Sequence, residues 1–242
     1  MLLALETSAE RGGVALFAGD ALLGEEDVAA DERHAASLLV CLDRLLARVG
    51  RRQAEIERIA LAIGPGSFTG LRIGLATALG LAFGTERQLV PVPTLAALAL
   101  QAGSAGAVAP LVDARRGEVY AGLYAVDGAV PRELQADRCC ALPDWLASLP
   151  GSDAPLALLG SGVAPHRGEL EAALGARARF LPEAAGALRA RTVGRLGLRM
   201  AANGMSCAPE AVELRYLRRA EAEAKRLALH SNPEPIPWSP PR

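Results

Sequence analysis

Three short apolar runs open the chain, at Leu2–Leu5, Val14–Phe17 and Ala21–Leu23. Glycine and aspartate residues separate these runs, so the pattern predicts three strands of an antiparallel meander. Apolar positions then recur at helical spacing up to Val49, and Gly50 ends this first helix. A buried strand, a second helix, another strand and a third helix follow, up to residue 101. The order βββαβαβα predicts a mixed sheet covered by helices.

The second half of the chain repeats this order more weakly. Apolar runs predict strands at Ala107–Val112, Val119–Val126 and Leu156–Leu159. Helical spacing predicts helices at 142–148, 165–174, 188–203 and 218–229. We therefore expect an α/β protein with two lobes of βββαβα type, each built on a mixed sheet.

The predicted organisation has two lobes and a tail. The N-terminal lobe, expected to bind a partner, covers residues 1–102, and a glycine-rich linker begins the C-terminal lobe at 103–230. The last helix of that lobe could pack back on the N-terminal lobe. Residues 231–242 contain five prolines and are expected to form a flexible tail.

The composition indicates a globular chain with an aliphatic core. Hydrophobic residues make up 51 % of the 242 residues, whereas aromatic residues make up only 4 %. The formal net charge of −1 argues against a nucleic-acid-binding protein that works by bulk electrostatics. Four cysteines without CxxC spacing indicate neither a zinc site nor a disulfide framework. The start of the chain does not resemble a signal peptide, and its longest apolar stretch contains Arg72, so we expect a cytoplasmic protein with no membrane contact.

A glycine-rich loop with the sequence GPGSFTG follows the fourth predicted strand, at 64–70. It is not a P-loop, because Leu71 stands where that motif has lysine. One interpretation is an anion or nucleotide site, in which the backbone N–H groups of the loop and a carboxylate at the end of the first strand face a ligand. The alternative is a tight turn with a helix cap formed by Ser67 or Thr69. The anion-site interpretation includes the residues Glu6, Thr7, Ser8, Gly64, Gly66, Ser67, Thr69 and Gly70.

The helix predicted from Leu71 to about Gly84 is apolar nearly all round. Glycine in a helix costs about 1 kcal/mol relative to alanine, so repeated glycines need a compensating close contact. One interpretation is a docking face for a helix of another chain, and the alternative is a helix fully buried in this chain. Small residues recur at spacing four in two rows, which are Gly70, Gly74 and Ala78 in the first and Gly80 and Gly84 in the second. An apolar ridge on another side consists of Leu71, Leu75, Leu79 and Phe83.

The remaining polar residues show no catalytic or metal-binding constellation. His34 is predicted to open the first helix, but position 38, where a second ligand on the same helical face would stand, is leucine. The segment between residues 187 and 226 contains nine cationic side chains and only four acidic ones. This cluster could contact RNA phosphates, and a solvated helix face is the alternative. We therefore predict that the chain has no metal site and no catalytic residues of its own.

Six segments of the chain together resemble the TsaB (YeaZ) family. The resemblance covers nearly the whole chain in order, and the run at 64–74 is its most specific part. The segments are LALETS at 3–8, His34, GPGSFTGLRIG at 64–74, VPTL at 92–95, DARRGEVY at 113–120 and PEAVELRYLR at 209–218.

This resemblance implies an actin/Hsp70-like (ASKHA) fold and a non-catalytic subunit. TsaB-type chains pair with a larger paralogue, TsaD, which transfers threonylcarbamoyl to adenosine 37 of tRNAs that read ANN codons, and the ATPase TsaE joins them. We expect no cofactor beyond vestigial nucleotide binding. Because the apolar helix face should self-associate when its partner is absent, we expect a homodimer in isolation, and the arginine cluster could contact tRNA within the complex. It places the partner interface on the first two helices, at His34, Leu38, Leu42, Leu45, Leu71, Arg72, Leu75, Ala78 and Leu79.

One position departs from the family pattern. The family usually has aspartate in the turn after the first strand, where this chain has Glu6. The longer side chain makes metal–nucleotide chemistry at this turn less favourable. The alternative function is an ATP-dependent phosphotransferase or ATPase of the same fold, which would use Glu6 and the loop at 64–70.

Overall fold

The computed structural model describes residues 1–9, 11–28, 35–103, 106–128 and 130–218. The N-terminal half follows the predicted βββαβαβα order. Helix α2 begins three residues earlier than predicted, because Ser67 rather than Gly70 precedes its first turn. The elements of this half are β1 (Leu2–Glu6), β2 (Gly13–Ala18), β3 (Ala21–Asp27), α1 (Ala35–Val49), β4 (Arg58–Gly64), α2 (Phe68–Ala82), β5 (Gln88–Pro93) and α3 (Thr94–Gln101).

The C-terminal half contains two strands that the sequence pattern did not predict, β8 and β10. Strand β8 lies at the edge of its sheet, and its charged residues hide the alternation that marks a strand. The elements of this half are β6 (Gly106–Asp113), β7 (Glu118–Val126), β8 (Arg132–Ala141), α4 (Leu142–Ala147), β9 (Leu156–Leu159), α5 (Arg167–Leu174), β10 (Ala178–Phe180) and α6 (Ala190–Ala202). Short 3-10 turns lie at Gln53–Glu55, Gly175–Arg177, Glu183–Gly186 and Pro209–Ala211.

The two sheets share one topology. The N-terminal sheet has the order β3-β2-β1-β4-β5, and the C-terminal sheet, starting from its long edge strand, has the order β8-β7-β6-β9-β10. In each sheet the first three strands are antiparallel and the last two join in parallel. The prediction of two βββαβα lobes on mixed sheets is therefore confirmed.

The layers alternate between helices and sheets. Leu3 and Leu5 point from β1 into a core shared with α1 and α2, whereas Leu2 and Ala4 point to the opposite face. That opposite face shares a central core with α3, α6 and the inner face of the C-terminal sheet. A third core, which contains the fully buried Trp145, joins the outer face of the C-terminal sheet to α4 and α5. Alternate residues of each strand thus serve different cores.

Helix α6 follows the C-terminal sheet in sequence but packs on the N-terminal sheet. It contacts β1, β2, β4 and β5 as well as α3. Its N-terminal end is held by Glu25 of β3, which accepts hydrogen bonds from the guanidinium groups of Arg189, at 2.9 Å, and Arg191. The predicted helix at 218–229 lies, from residue 219 onward, outside the described residues, as does the predicted tail at 231–242.

Candidate functional site

The turn after β1 packs directly against the loop at 64–70. The backbone oxygen of Ser8 accepts a hydrogen bond from Ser67 N at 2.8 Å. A β-carbon on Gly70 would collide with the backbone oxygen of Thr7, so only glycine fits there without a shift of the backbone. Gly64 has a φ of +110°, a conformation that also favours glycine. The glycines of the loop therefore permit close backbone contacts within this chain.

Several N–H groups of the loop donate to atoms of the chain itself. Gly64 N donates to Thr94 Oγ1 at 3.2 Å, and Gly70 N donates to Ser67 Oγ at 3.2 Å. Ser67 is the N-cap of α2, as the turn-and-cap interpretation predicted. Gly66 is half-buried, and Thr69 is exposed. Anion or nucleotide binding at this loop stays a prediction.

Glu6 is buried where the turn after β1 begins, with only 1 % of its surface exposed. Its Oε1 accepts hydrogen bonds from Ser8 N at 2.7 Å, Ser8 Oγ at 2.6 Å and Ala9 N at 3.1 Å. Its Oε2 has no hydrogen-bond partner among the described residues. Burial raises the pKa of Glu6 to about 7, against the opposing effect of the hydrogen bonds from Ser8 and Ala9.

The residues expected at a partner interface fall into two groups. Five of them are buried, so they can support an interface but do not present their own surface to it: Leu38, Leu42, Leu45, Leu71 and Ala78. Leu75 is half-buried, whereas Arg72 and Leu79 are exposed. His34 lies outside the described residues.

The solvent-facing stripe of α2 is mostly apolar. Exposed positions recur at helical spacing along the whole helix, and Phe83 just beyond its end is 89 % exposed. On α1, Leu39 and Val40 are also exposed. We call this surface the α1–α2 face and define it as Leu39, Val40, Phe68, Arg72, Ala76, Leu79, Gly80 and Phe83.

Tyr216, which reasoning from the sequence did not single out, joins one end of this face. Its ring centroid lies 5.1 Å from that of Phe68, and its hydroxyl oxygen accepts a hydrogen bond from Arg72 Nε at 3.3 Å. The guanidinium carbon of Arg72 lies 3.9 Å from the centroid of the Phe68 ring, a cation–π contact. The only sequence signal for Tyr216 was its place in the segment at 209–218.

Beside Tyr216, Arg215 reaches a buried carboxylate of the other lobe. Its guanidinium donates to Asp137 Oδ2 at 2.9 Å, and Tyr124 Oη donates to Asp137 Oδ1 at 2.5 Å. Burial raises the pKa of Asp137 to about 6, although the Tyr124 hydrogen bond and the Arg215 charge act in the opposite direction. Burial and the neighbouring Asp137 charge also raise the pKa of Tyr124.

Four arginines of the cluster, Arg189, Arg191, Arg195 and Arg199, line a cleft of about 710 Å³ between α6, the end of α3 and the turn after β7. Arg189 and Arg191 are engaged by Glu25. Burial raises the pKa of Glu25, and the hydrogen bonds from the two arginines outweigh this effect, so its pKa lies below the ordinary value. Arg195 and Arg199 continue the same helix face along the cleft.

Among the described residues, no three His, Cys, Asp or Glu side chains are grouped so that they could hold a metal ion. Within the part of the chain that the structure describes, no helix combines the length and the apolar character that a membrane span requires.

Comparison with known proteins identifies the family. Residues 28–226 match the family model described as "TsaD: tRNA N6-adenosine threonylcarbamoyltransferase". Over 226 residues the chain is 32 % identical to the tRNA threonylcarbamoyladenosine biosynthesis protein TsaB of Bacillus subtilis, and the match covers 93 % of this chain and 96 % of that protein. This chain belongs to the TsaB (YeaZ) family. The Haemophilus influenzae TsaB is 39 % identical over 123 residues, about half of each chain.

Solved structures agree with this assignment. A Pseudomonas aeruginosa protein described as similar to peptidase YeaZ has a TM-score of 0.78 and 30 % identity, covering 90 % of this chain and 99 % of that chain. A second Pseudomonas aeruginosa structure, titled YeaZ, has a TM-score of 0.76 and 30 % identity over 89 % of this chain and 99 % of that one. With its two mixed sheets of one topology, the chain has the predicted two-lobed actin/Hsp70-like fold.

Proposed function

We propose that this chain is a non-catalytic scaffold subunit in the biosynthesis of threonylcarbamoyladenosine on tRNA, and that it binds TsaD through the α1–α2 face. Membership of the TsaB family supports the pathway. The proposal rests on one observation, the apolar stripe that α2 turns to solvent. TsaE joins the resulting complex, in which the arginine cluster of α6 lies in reach of tRNA phosphates.

The stripe has the chemistry of a helix-packing surface. Phe68, Leu79 and Phe83 offer large side chains, and Ala76 and Gly80 between them leave room for a second helix to approach closely. Removing one fully exposed phenylalanine from water contributes about 1.5–3 kcal/mol. Phe83 alone therefore gives a strong reason for this face to be covered by another protein.

The same face accounts for the expected homodimer in isolation. A surface that is apolar along a whole helix tends to pair with itself when its partner is absent. TsaD and a second copy would then compete for the α1–α2 face. We expect the free chain to be a homodimer and the mixture with TsaD to contain a heterodimer.

The test is light scattering after size-exclusion chromatography of this chain with TsaD from the same organism. We expect the wild type to form a heterodimer and Leu79→Glu to lose it, because Leu79 is 37 % exposed on the α1–α2 face. The matched control is Leu134→Glu, which places the same charge on an exposed leucine of β8 in the other lobe. Thermal unfolding of both variants verifies that they are folded.

Two results would contradict the proposal. If Leu79→Glu binds TsaD as the wild type does, the α1–α2 face is not the interface. If the wild type shows no complex with folded TsaD but binds ATP and Mg²⁺ tightly in calorimetry, the phosphotransferase or ATPase alternative takes its place.

A further inference from the structure

Residues 212–218, which we call the strap, lie across both lobes. They follow the last 3-10 turn, at Pro209–Ala211, and make side-chain contacts with elements of the N-terminal and C-terminal halves in turn. The strap contacts β4 and α2 of the N-terminal lobe and β7 and β8 of the C-terminal lobe.

On the N-terminal side, the strap is fixed by its backbone and by Tyr216. Arg215 N donates to the backbone oxygen of Ile63 at the end of β4, at 2.8 Å. Tyr216 then stacks on Phe68 and accepts the hydrogen bond from Arg72. Tyr216 is 42 % exposed, so it enlarges the α1–α2 face rather than disappearing under it.

On the C-terminal side, the strap is fixed by two arginines. Arg215 bonds the carboxylate of Asp137, whose side chain is 0 % exposed, and lies 3.7 Å from Glu133 of the same strand. Arg218 donates to the backbone oxygen of Ala114 at 2.7 Å and pairs with Glu118. Successive residues of the strap therefore connect to opposite lobes.

We propose that Tyr216 is part of the partner-binding surface and that Arg215, anchored on Asp137, is the positioning residue that holds Tyr216 against Phe68 and Arg72. The C-terminal lobe thereby controls the docking face of the N-terminal lobe. This inference rests on the proposed function, because it takes the α1–α2 face as the place where TsaD docks.

The chemistry of this enlarged surface specifies what it fits. Among the described residues Arg72 donates only through Nε, to Tyr216, so its two terminal nitrogens can pair with a carboxylate of the partner. Phe68 and Tyr216 on either side provide aromatic contact area, which is enriched at the energetic centres of interfaces. We therefore expect TsaD to present a helix with an apolar stripe and a carboxylate opposite Arg72.

The experiment measures the dissociation constant for TsaD by calorimetry for a set of full-length variants. Tyr216→Ala is expected to weaken binding roughly tenfold or more, and Tyr216→Phe, which keeps the ring, by no more than about threefold. Asp137→Asn keeps the shape of the side chain but removes the charge that Arg215 binds. We expect it to weaken binding by a factor similar to that of Tyr216→Ala, although Asp137 cannot touch a partner.

The double variant Asp137→Asn/Tyr216→Ala separates positioning from general destabilisation. If Asp137 acts through Tyr216, the double variant binds no more weakly than Tyr216→Ala alone. Hydrogen exchange of the free chain gives a second readout, in which Asp137→Asn speeds exchange of the Arg215 amide. If Asp137→Asn does not fold, Arg215→Lys takes its place in both measurements.

The outcomes distinguish this inference from the proposed function. Unchanged binding by Tyr216→Ala, together with loss of binding by Leu79→Glu, overturns the role of the strap and leaves the docking face intact. If the affinity losses of Asp137→Asn and Tyr216→Ala multiply in the double variant, the positioning role of Asp137 and Arg215 is overturned. Unchanged binding by Leu79→Glu overturns the proposed function itself.

Discussion

The backbone oxygen of Thr7 lies in the space that a β-carbon on Gly70 would need. Thr7 follows β1, and Gly70 lies in the first turn of α2, so strand end and helix start are in direct backbone contact. Gly74, one turn later, meets the side chain of the same threonine. One glycine row of α2 thus serves packing inside the chain, whereas a β-carbon on Gly80, on the exposed stripe, would meet no atom within 4 Å beyond its own stretch of helix.

This contact predicts opposite effects for two glycine-to-alanine substitutions in one helix. Gly70→Ala should lower the free energy of unfolding by about 1–3 kcal/mol, because the Thr7 backbone must move. Gly80→Ala should raise it by up to about 1 kcal/mol, because alanine favours the helix and meets no neighbour. Urea denaturation measures both. Equal stability of the two variants would mean that Thr7 and Gly70 are not in contact.

The buried Glu6 should make stability depend on pH. Its pKa is about 7 in the folded chain and near its ordinary value of 4.5 in the unfolded one, so between these values the folded state holds an extra proton. The contribution of Glu6 to the stability of the folded state is therefore fully present below pH 4.5 and is lost as the pH rises through 7. The loss amounts to about 3 kcal/mol, at 1.36 kcal/mol for each unit of pKa.

Glu6→Gln should remove this dependence, because glutamine keeps the acceptor oxygen for Ser8 and Ala9 and carries no charge. Urea denaturation at a series of pH values should show the variant more stable than the wild type at pH 8. Glu86→Gln, at an exposed glutamate, is the control and should leave the wild-type profile unchanged. Parallel profiles for Glu6→Gln and the wild type would rule out titration of Glu6 in this range.

Phe83 should contribute to self-association more than to folding, because it is 89 % exposed. We expect Phe83→Asp to weaken the homodimer roughly tenfold or more, as measured by analytical ultracentrifugation at micromolar concentration, with little change in Tm. Leu134→Asp provides the comparison at an exposed position of the other lobe. A Phe83→Asp protein that dimerises like the wild type would place the dimer contact elsewhere.

Glu25 should anchor α6 to the N-terminal sheet. Its carboxylate accepts hydrogen bonds from Arg191 N at 3.0 Å and from the guanidinium groups of Arg189 and Arg191. Glu25→Gln should cost about 1–3 kcal/mol of stability, because Arg191 loses its charged partner and Arg189 keeps only Asp27, at 3.2 Å.

The adjacent Glu26 is a matched control for Glu25. It pairs with Arg48 near the surface, so Glu26→Gln should cost less than about 1 kcal/mol. Chemical denaturation of the two variants in the same buffer makes the comparison. If Glu25→Gln and Glu26→Gln lower the free energy of unfolding by the same amount, the buried position of Glu25 has no energetic importance.

Much of the fold could be predicted because its signals are local. The spacing of leucines in α1, the glycine turns of the first meander and the cap at Ser67 each depend on residues a few positions apart. Strand β8 could not be predicted in this way. Its Asp137 looks like a surface residue until Arg215 and Tyr124 surround it, and Arg215 lies 78 positions further along the chain.

The candidate site shows the same division. The helices of the proposed interface were evident from their apolar character, but several of the leucines expected there support the core instead. A helix that is apolar nearly all round gives no sign of which side faces its own sheet. That choice follows from the packing of Thr7 and Ser8 against α2, which leaves Leu79 and Phe83 outside.

Sequence alone was enough for the family, for the order of strands and helices in the N-terminal lobe, and for the two helices of the proposed interface, because each has a motif or a period readable along the chain. The three-dimensional arrangement was needed to show that Glu6 is buried in its own turn and that Tyr216 meets Arg72 from 144 positions away. The contact between Tyr216 and Arg72 forms only when the chain has folded, since no local preference of either residue specifies a partner so distant in the chain.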